Sequence, residues 1–368
     1  MKITSVEAIP VAIPLNHPLQ MAVATLLARD SIIVRLRTDQ GLVGLGEVVI
    51  APYFTGETQS GAKAAIDSLL GPALLGKEIF EIQGVHQIMD RRLYGNPATK
   101  SGLDMALYDL QAQAVNLPLY QLLGGKLRDR VNSTWAISAT ETGQAVEEAL
   151  QGVAQGFKAI KIKVGVVSLS QDILRVRAIR QAVGDEVHLR VDANQAWSPK
   201  LAIQFLHQVE DCRLQFIEQP VRRDDMDGMA KVSQAVSTPV APDEGLFNAA
   251  DAVHFFRHHA ADGVVMKLIK TGGISACQAL AAVVQSANMG LHLGGMPGQT
   301  SISASAEIHL AVSLPWLTWD AGIYPHAISR DVVTERLQPM EGAYFPPEKP
   351  GLGVELDEKA LALCRMDK

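Results

Sequence analysis

Lys161 and Lys163 stand two apart in the otherwise apolar stretch "GFKAIKIKVG", residues 156–165. Residues i and i+2 of a β-strand point to the same side. Such a strand carries two ammonium groups on one face, and desolvating a charge is costly unless something answers it. Candidate answers follow along the chain. "RVDAN" ends an apolar run on Asp192, "QFIEQP" on Glu218 and "PVAPDEG" on Asp243, at intervals of 26 and 25 residues. "VVMKLIKTGG" brings Lys267 a further 24 residues on, with Lys270 behind it. Three carboxylates converging at one point repel each other unless a cation sits among them. An all-oxygen set suits Mg²⁺, with Mn²⁺ as the alternative ion. The chemistry that such a set could serve is removal of a proton next to a carboxylate. A divalent cation on that carboxylate would stabilise the enediolate, and a lysine lowered by desolvation, the metal and a second lysine would take the proton. Lys161 would sit behind the site, pairing in part with Asp192 and lowering its neighbour by like charge. Lysines on both sides permit removal from one face and return on the other. Taken singly, each acid also reads as a helix cap and each lysine as a snorkelling surface residue, the reading given to Lys158. The common register of all five is what points to chemistry.

The elements that must position these groups alternate. From about residue 131, short runs such as "NSTWAIS", "AIKIKVG", "VHLRVDA", "LQFIEQP", "TPVAPDE", "DGVVMKL", "LHLGG" and "WLTWD" are separated by amphipathic stretches such as "ETGQAVEEALQGVAQ" and "DILRVRAIRQAVG". About eight strand–helix units imply a parallel sheet, and the count favours a (β/α)8 barrel over an open doubly wound sheet. In a barrel the active site forms at the C-terminal ends of the strands, where the three acids fall. Residues 1–50 read instead as antiparallel strands, with "SIIVRLRTDQGLVGLGEVV" folding around Asp39-Gln40-Gly41. Residues 60–123 turn helical. The expected organisation is an α+β capping domain over 1–125, a barrel over 126–324, and a tail over 325–368 that packs back on the cap. The chain has 368 residues, 48% hydrophobic and 20% charged, with a net charge of −6 and no basic run. That argues against disorder and against nucleic-acid or anionic-membrane partners. Three scattered cysteines, an N-terminus that alternates like a strand and the lack of a long apolar run lead us to expect a cytoplasmic protein.

"GLVGLGE", "GNPATKSGLDMALYDLQAQAVNLPLYQLLGG", "FKAIKIKVG", "RVDANQAW", "FIEQP", "APDEG" and "KLIKTGG" together resemble the enolase superfamily, in its mandelate racemase/muconate lactonizing enzyme subgroup, over essentially the whole chain. A lysine base with Mg²⁺ on an ene-diolate is a known pattern of that superfamily. The resemblance implies Lys163 as acid/base, Lys267 on the opposite face of the substrate, and Asp192, Glu218 and Asp243 as Mg²⁺ ligands. It also implies a small carboxylate substrate, self-association, and two capping-domain loops closing over the site, around residues 15–30 and 51–58. His17, Tyr53 and His326 are expected at the mouth or lid, and Met296 and Asp320 as substrate contacts. His258-His259 reads as solvated. Two departures narrow the substrate. "GGMPGQTS" lacks the acid that many members carry after the seventh strand. "WDAGIYPH" has Gly322 where dipeptide epimerases place the second acid of an Asp-x-Asp, which argues against dipeptide epimerisation. Cycloisomerisation of a muconate-like diacid, racemisation or epimerisation of an amino-acid derivative, and dehydration of a hydroxy acid all stay open. A Schiff-base aldolase and a non-catalytic binding relative are the readings from other classes.

Overall fold

The computed structural model describes residues 1–20 and 25–367. Strands β1 (Ile3–Gln20), β2 (Thr25–Thr38) and β3 (Val43–Val49) form an antiparallel sheet in that order. The β2–β3 turn is made at Gly41, whose φ of 84° lies where glycine is favoured. One face of this sheet packs on the helix Pro97–Ala114, buried along nearly its whole length. The approach is close because β3 carries glycine: a Cβ on Gly46 would run into the Gly102 carbonyl oxygen of that helix. Asn96 gives the helix no side-chain cap. Glu57, from the segment after β3, accepts instead from Ala98 N (2.9 Å), Thr99 N (2.8 Å) and Thr99 Oγ1 (2.7 Å). The 51–58 segment is thereby fixed to the helix start.

The barrel begins after β4 (Val131–Asn132). Strands β5 (Thr134–Ile137), β6 (Ala159–Lys163), β7 (His188–Asp192), β8 (Ile217–Glu218) and β9 (Val240–Ala241) make one parallel sheet in that order, and β10 (Gly263–Met266) pairs with β11 (Gly290–Leu293). Bonds from Asp262 N to Val240 O (2.9 Å) and Val265 N to Pro242 O (3.1 Å) join the two sheets. The eighth position departs from expectation. "WLTWD" is no regular strand, and closure comes one to two residues beyond it, through the bridges of Ala321 with Ser133 and Gly322 with Gly294. The reason is local. Thr318 Oγ1 accepts from Leu291 N (2.7 Å), while Thr318 N and Trp319 N share Leu291 O. A side chain replaces the backbone ladder there, and regular pairing starts beyond it. The fold is a (β/α)8-type barrel with an α+β cap.

Inside the barrel, Phe216, Ala241, Val265 and Trp319 form an apolar floor. Arg190 lies over the Phe216 ring, 5.0 Å from its centroid, and donates to Thr134 Oγ1 (3.0 Å), Gln215 Oε1 (2.5 Å) and Asp320 O (2.8 Å). The tail returns to the cap through the bridges of Ile328 with Leu15 and Arg365 with Val11 and through the Arg35–Glu358 pair (2.7 Å). Another part of it, β12 (Ala343–Tyr344), pairs antiparallel with β4. Among the described residues no helix is long and apolar enough to cross a membrane.

Candidate active site

The β6–β7 register sets Lys163 beside Asp192, and the β7–β8 register sets Asp192 beside Glu218, so one row of strand ends is ionic. Left-handed backbone follows at Asn194 (φ 41°), Gln195 (φ 70°) and Gln219 (φ 36°). Such conformations are costly for non-glycine residues and concentrate at functional sites. Here they turn the chain sharply after Asp192 and Glu218.

The charged groups interleave. Lys163 Nζ lies 2.5 Å from Asp192 Oδ2 and 2.8 Å from Asn194 Oδ1. Lys161 bridges Glu218 Oε2 (3.1 Å) and Asp192 Oδ2 (3.6 Å). Lys267 bridges Asp243 Oδ2 (2.5 Å) and Glu218 Oε1 (3.8 Å). Lys270, from the short helix Leu268–Thr271, donates to Asp243 O (2.6 Å) and Oδ1 (2.8 Å). Asp192, Glu218 and Asp243 are each at most 1% exposed. Burial pushes their carboxyls up. Lys163 and Lys161 outweigh it at Asp192 and bring it below the ordinary value. Lys267 and Lys270 hold Asp243 well below the carboxylate range. Glu218 stays raised, since Asp192 adds to burial. Glu244, beside Asp243, is pushed up to about 7 by burial and then by the charges of Asp243 and Asp192.

At Lys161 and Lys267 the neighbouring carboxylates decide the direction of the shift. Burial lowers Lys161 and Lys267, but Glu218 at the first and Asp243 at the second more than reverse it, so both are raised. Lys161 also lowers Lys267 by like charge, yet the carboxylates outweigh it. Lys270 is lowered, by burial first.

A cavity of about 80 Å³ opens on this cluster, lined by Lys161, Lys163, Asp243 and Lys267 from the barrel and by Tyr53 and Phe54 from the cap. The Phe54 ring stands 4.8 Å from Lys267 Nζ and 5.9 Å from Lys270 Nζ, walling both from solvent. Met296 also lines the cavity. His17 and His326 do not; they line an adjoining groove, His17 exposed at its edge. Asp320 lines neither. Its carboxylate lies 3.8 Å from Arg190, in the layer beneath the acids. Of the expected 15–30 loop, residues 21–24 fall outside the described residues. Leu15 and Asn16 line the groove, and Arg29 is buried, donating to Pro297 O (3.0 Å), Ile50 O (3.2 Å) and Tyr53 Oη (3.3 Å). Sequence reading gave no role to Asn194, Glu244, Lys270 or Tyr324. A lysine one helical turn after Lys267 and an acid directly after Asp243 were the available signals. Lys158 and His258-His259 are exposed, as read.

Among the described residues, no three metal-binding side chains are gathered into a ready coordination shell; ammonium groups stand between the carboxylates. The donor chemistry nevertheless fits a hard divalent cation. All three acids are buried, all are oxygen donors, and Glu218 Oε1 accepts no hydrogen bond.

A parallel barrel with ammonium and carboxylate groups interleaved at its C-terminal mouth, under an α+β cap, defines an isomerase of the enolase type. Residues 3–124 match the family model described as mandelate racemase / muconate lactonizing enzyme, N-terminal domain, and residues 144–360 match enolase C-terminal domain-like. The chain belongs to this family within the enolase superfamily. It is similar to the N-succinyl Arg/Lys racemase from Bacillus cereus ATCC 14579 (32% identity, TM-score 0.95, covering 100% of this chain and 98% of that one). It is similar to the muconate lactonizing enzyme from Pseudomonas fluorescens, solved with muconolactone (30%, 0.96, 99% of each chain). A third neighbour is the dipeptide epimerase from Enterococcus faecalis V583, solved with Mg and the dipeptide L-Leu-L-Tyr (35%, 0.92, 96% of this chain and 100% of that one).

Proposed function

We propose that the chain is a Mg²⁺-dependent racemase or epimerase of an amino-acid derivative, moving a proton between the two faces of a carbon next to a carboxylate. The observation that carries this reading is that Lys163 and Lys267, from β6 and from the end of β10, open on one cavity with the acids between them. Asp192, Glu218 and Asp243 would hold the metal, which when bound supplies a Lewis acid for the substrate carboxylate and competes with the lysines for the same oxygens. One lysine takes the proton; the other, as ammonium, returns one to the opposite face. Lys161 stays paired with Glu218 behind them and adds positive charge where the carboxylate develops negative charge. Phe54 and Tyr53 limit water at the transfer. Cycloisomerisation of a diacid needs only one of the two lysines. We also infer a cytoplasmic setting and self-association.

Proton NMR in D₂O on the purified chain with Mg²⁺ tests the reading, with a panel of N-acylated amino acids, proline derivatives, muconates and hydroxy acids. For a substrate, Lys163→Ala and Lys267→Ala should each lower racemisation by about 10²–10⁴-fold. Each variant should still exchange deuterium into the enantiomer that faces its remaining lysine. A single-lysine variant that racemises at the wild-type rate, or exchange indifferent to Mg²⁺ and to both substitutions, would sink the proposal.

A further inference from the structure

Between Lys267 and Lys270, at the end of a barrel strand, lies a residue that belongs to the core of the capping domain. Ile269 is 2% exposed and sits in the apolar cluster of that domain, which includes Leu103 and Leu107 of the helix Pro97–Ala114. The short helix Leu268–Thr271 that carries it is tightly wound. Thr271 N donates to Lys267 O (3.1 Å), and Gly272 N and Gly273 N both donate to Leu268 O (3.0 Å each). Gly272 (φ 101°) and Gly273 (φ 112°) make the exit in left-handed conformations that favour glycine. One continuous turn of backbone thus joins both lysines to the helix that follows.

That helix, Ile274–Ser286, starts at Gly273, which has no side chain to answer its first amides. The capping domain supplies one. Asp104, wholly buried in the middle of Pro97–Ala114, accepts from Ile274 N (2.5 Å) and from Ser275 Oγ (3.2 Å). Its Oδ1 also lies 2.6 Å from His86 Nε2, on the helix Ile82–Arg92. Tyr108 Oη, one turn further along, lies 3.0 Å from Ser275 Oγ. The approach leaves no room at residue 273, where a Cβ would run into the Asp104 carboxylate. Lys163 is anchored differently. Its strand β6 pairs with β5 and β7, and Arg175 of the barrel helix Leu169–Val183 donates to its carbonyl (2.5 Å).

We propose that Asp104 is a positioning residue for the Lys267 side of the reaction: it ties the Lys267–Lys270 turn to the capping domain, whereas Lys163 is set by the barrel. The two faces of the substrate then answer to different domains. Asp104 does not line the catalytic cavity, yet its loss should fall on one face. This rests on the proton transfer proposed above and adds what holds one of its two lysines.

Amide hydrogen–deuterium exchange on the full chain reads the tie without a substrate. In Asp104→Ala, residues 268–275 should exchange about 10- to 100-fold faster, as expected when buried donors lose their acceptor, with residues 159–163 unchanged. Asp104→Asn keeps an oxygen for the Ile274 amide and should recover most of the protection. If Asp104→Ala does not fold, Gly273→Ala, which drives a methyl into the same contact, should reproduce the loss. The D₂O panel, run with both enantiomers of each compound, reads the consequence. Lys163→Ala and Lys267→Ala identify which enantiomer exchanges through which lysine. Asp104→Ala should slow the Lys267 enantiomer by about 10- to 100-fold and leave the Lys163 enantiomer at the wild-type rate. Unchanged protection of 268–275, or enantiomers slowed alike or not at all, overturns this role while the proposed reaction stands. A panel in which nothing exchanges, wild type included, overturns both.

Discussion

Replacing Glu47 with glutamine should change the way stability follows pH. Glu47 lies on β3, fully buried, and accepts from Ser31 Oγ (2.9 Å), Thr300 N (3.0 Å), Thr300 Oγ1 (2.8 Å) and Ser303 N (3.3 Å). It is the carboxyl by which the capping sheet holds the start of the barrel helix Ser301–Ser313. Burial pushes it from 4.5 up to about 7, against those hydrogen bonds and with a further push from Asp331. The folded chain therefore binds this proton more tightly than the unfolded chain does. Stability from this group is fully present below pH 4.5 and is lost as pH rises through about 7. At about 1.4 kcal/mol per pH unit, the loss across that window is about 3 kcal/mol. Glutamine cannot titrate. Whatever constant penalty it brings, the stability of wild type minus that of Glu47→Gln should fall by about 3 kcal/mol between pH 4.5 and pH 8. Paired urea unfolding at matched protein concentration measures it, and titrating groups not coupled to Glu47 cancel in the difference; Asp331 and Glu307, which are coupled to it, do not. A difference that is flat, or that grows with pH, would show that Glu47 is ionised at low pH and that its four donors outweigh burial.

Two further outcomes follow from single contacts. Glu218→Gln should weaken Mg²⁺ binding by about tenfold or more, read by calorimetry on protein shown to be folded; unchanged affinity would remove Glu218 from the ligand set. Glu57→Ala leaves three buried donors of the helix Pro97–Ala114 unanswered and should cost about 1–3 kcal/mol, seen as a lower thermal midpoint. An unshifted midpoint would mean that the helix start is satisfied by other groups.

Much of the site was legible in the sequence because it depends on two regular spacings. Period-two alternation puts Lys161 and Lys163 on one face, and the length of a βα unit puts Asp192, Glu218 and Asp243 at successive strand ends. What depends on depth or distance was not legible. Asp320, Gly322 and Tyr324 have the same parity, so alternation alone cannot say which reaches the substrate. The stagger of the barrel decides it, leaving Asp320 beside Arg190 and Tyr324 at the mouth. Lys270 read as a strand-end lysine, yet one helical turn carries its ammonium back to the Asp243 carbonyl. The eighth strand was misplaced because Thr318 substitutes its side chain for a backbone partner, which apolar composition does not reveal.

The direction of the lysine shifts has the same origin and bears on the chemistry. Like charge between Lys161 and Lys267 does act, but carboxylates at 2.5–3.8 Å hold Lys161 and Lys267 as ammonium. In a buried site such pairs are held by geometry, and removing one partner strands the other at a cost of several kcal/mol. As the proposed base, Lys267 would have to leave Asp243, which Lys270 also holds at 2.8 Å. Residue types can suggest that exchange of partners; only the distances show that it is required. The proposed base and the proposed metal ligands therefore form one electrostatically coupled unit, so an acid substitution such as Glu218→Gln should alter proton transfer as well as metal affinity.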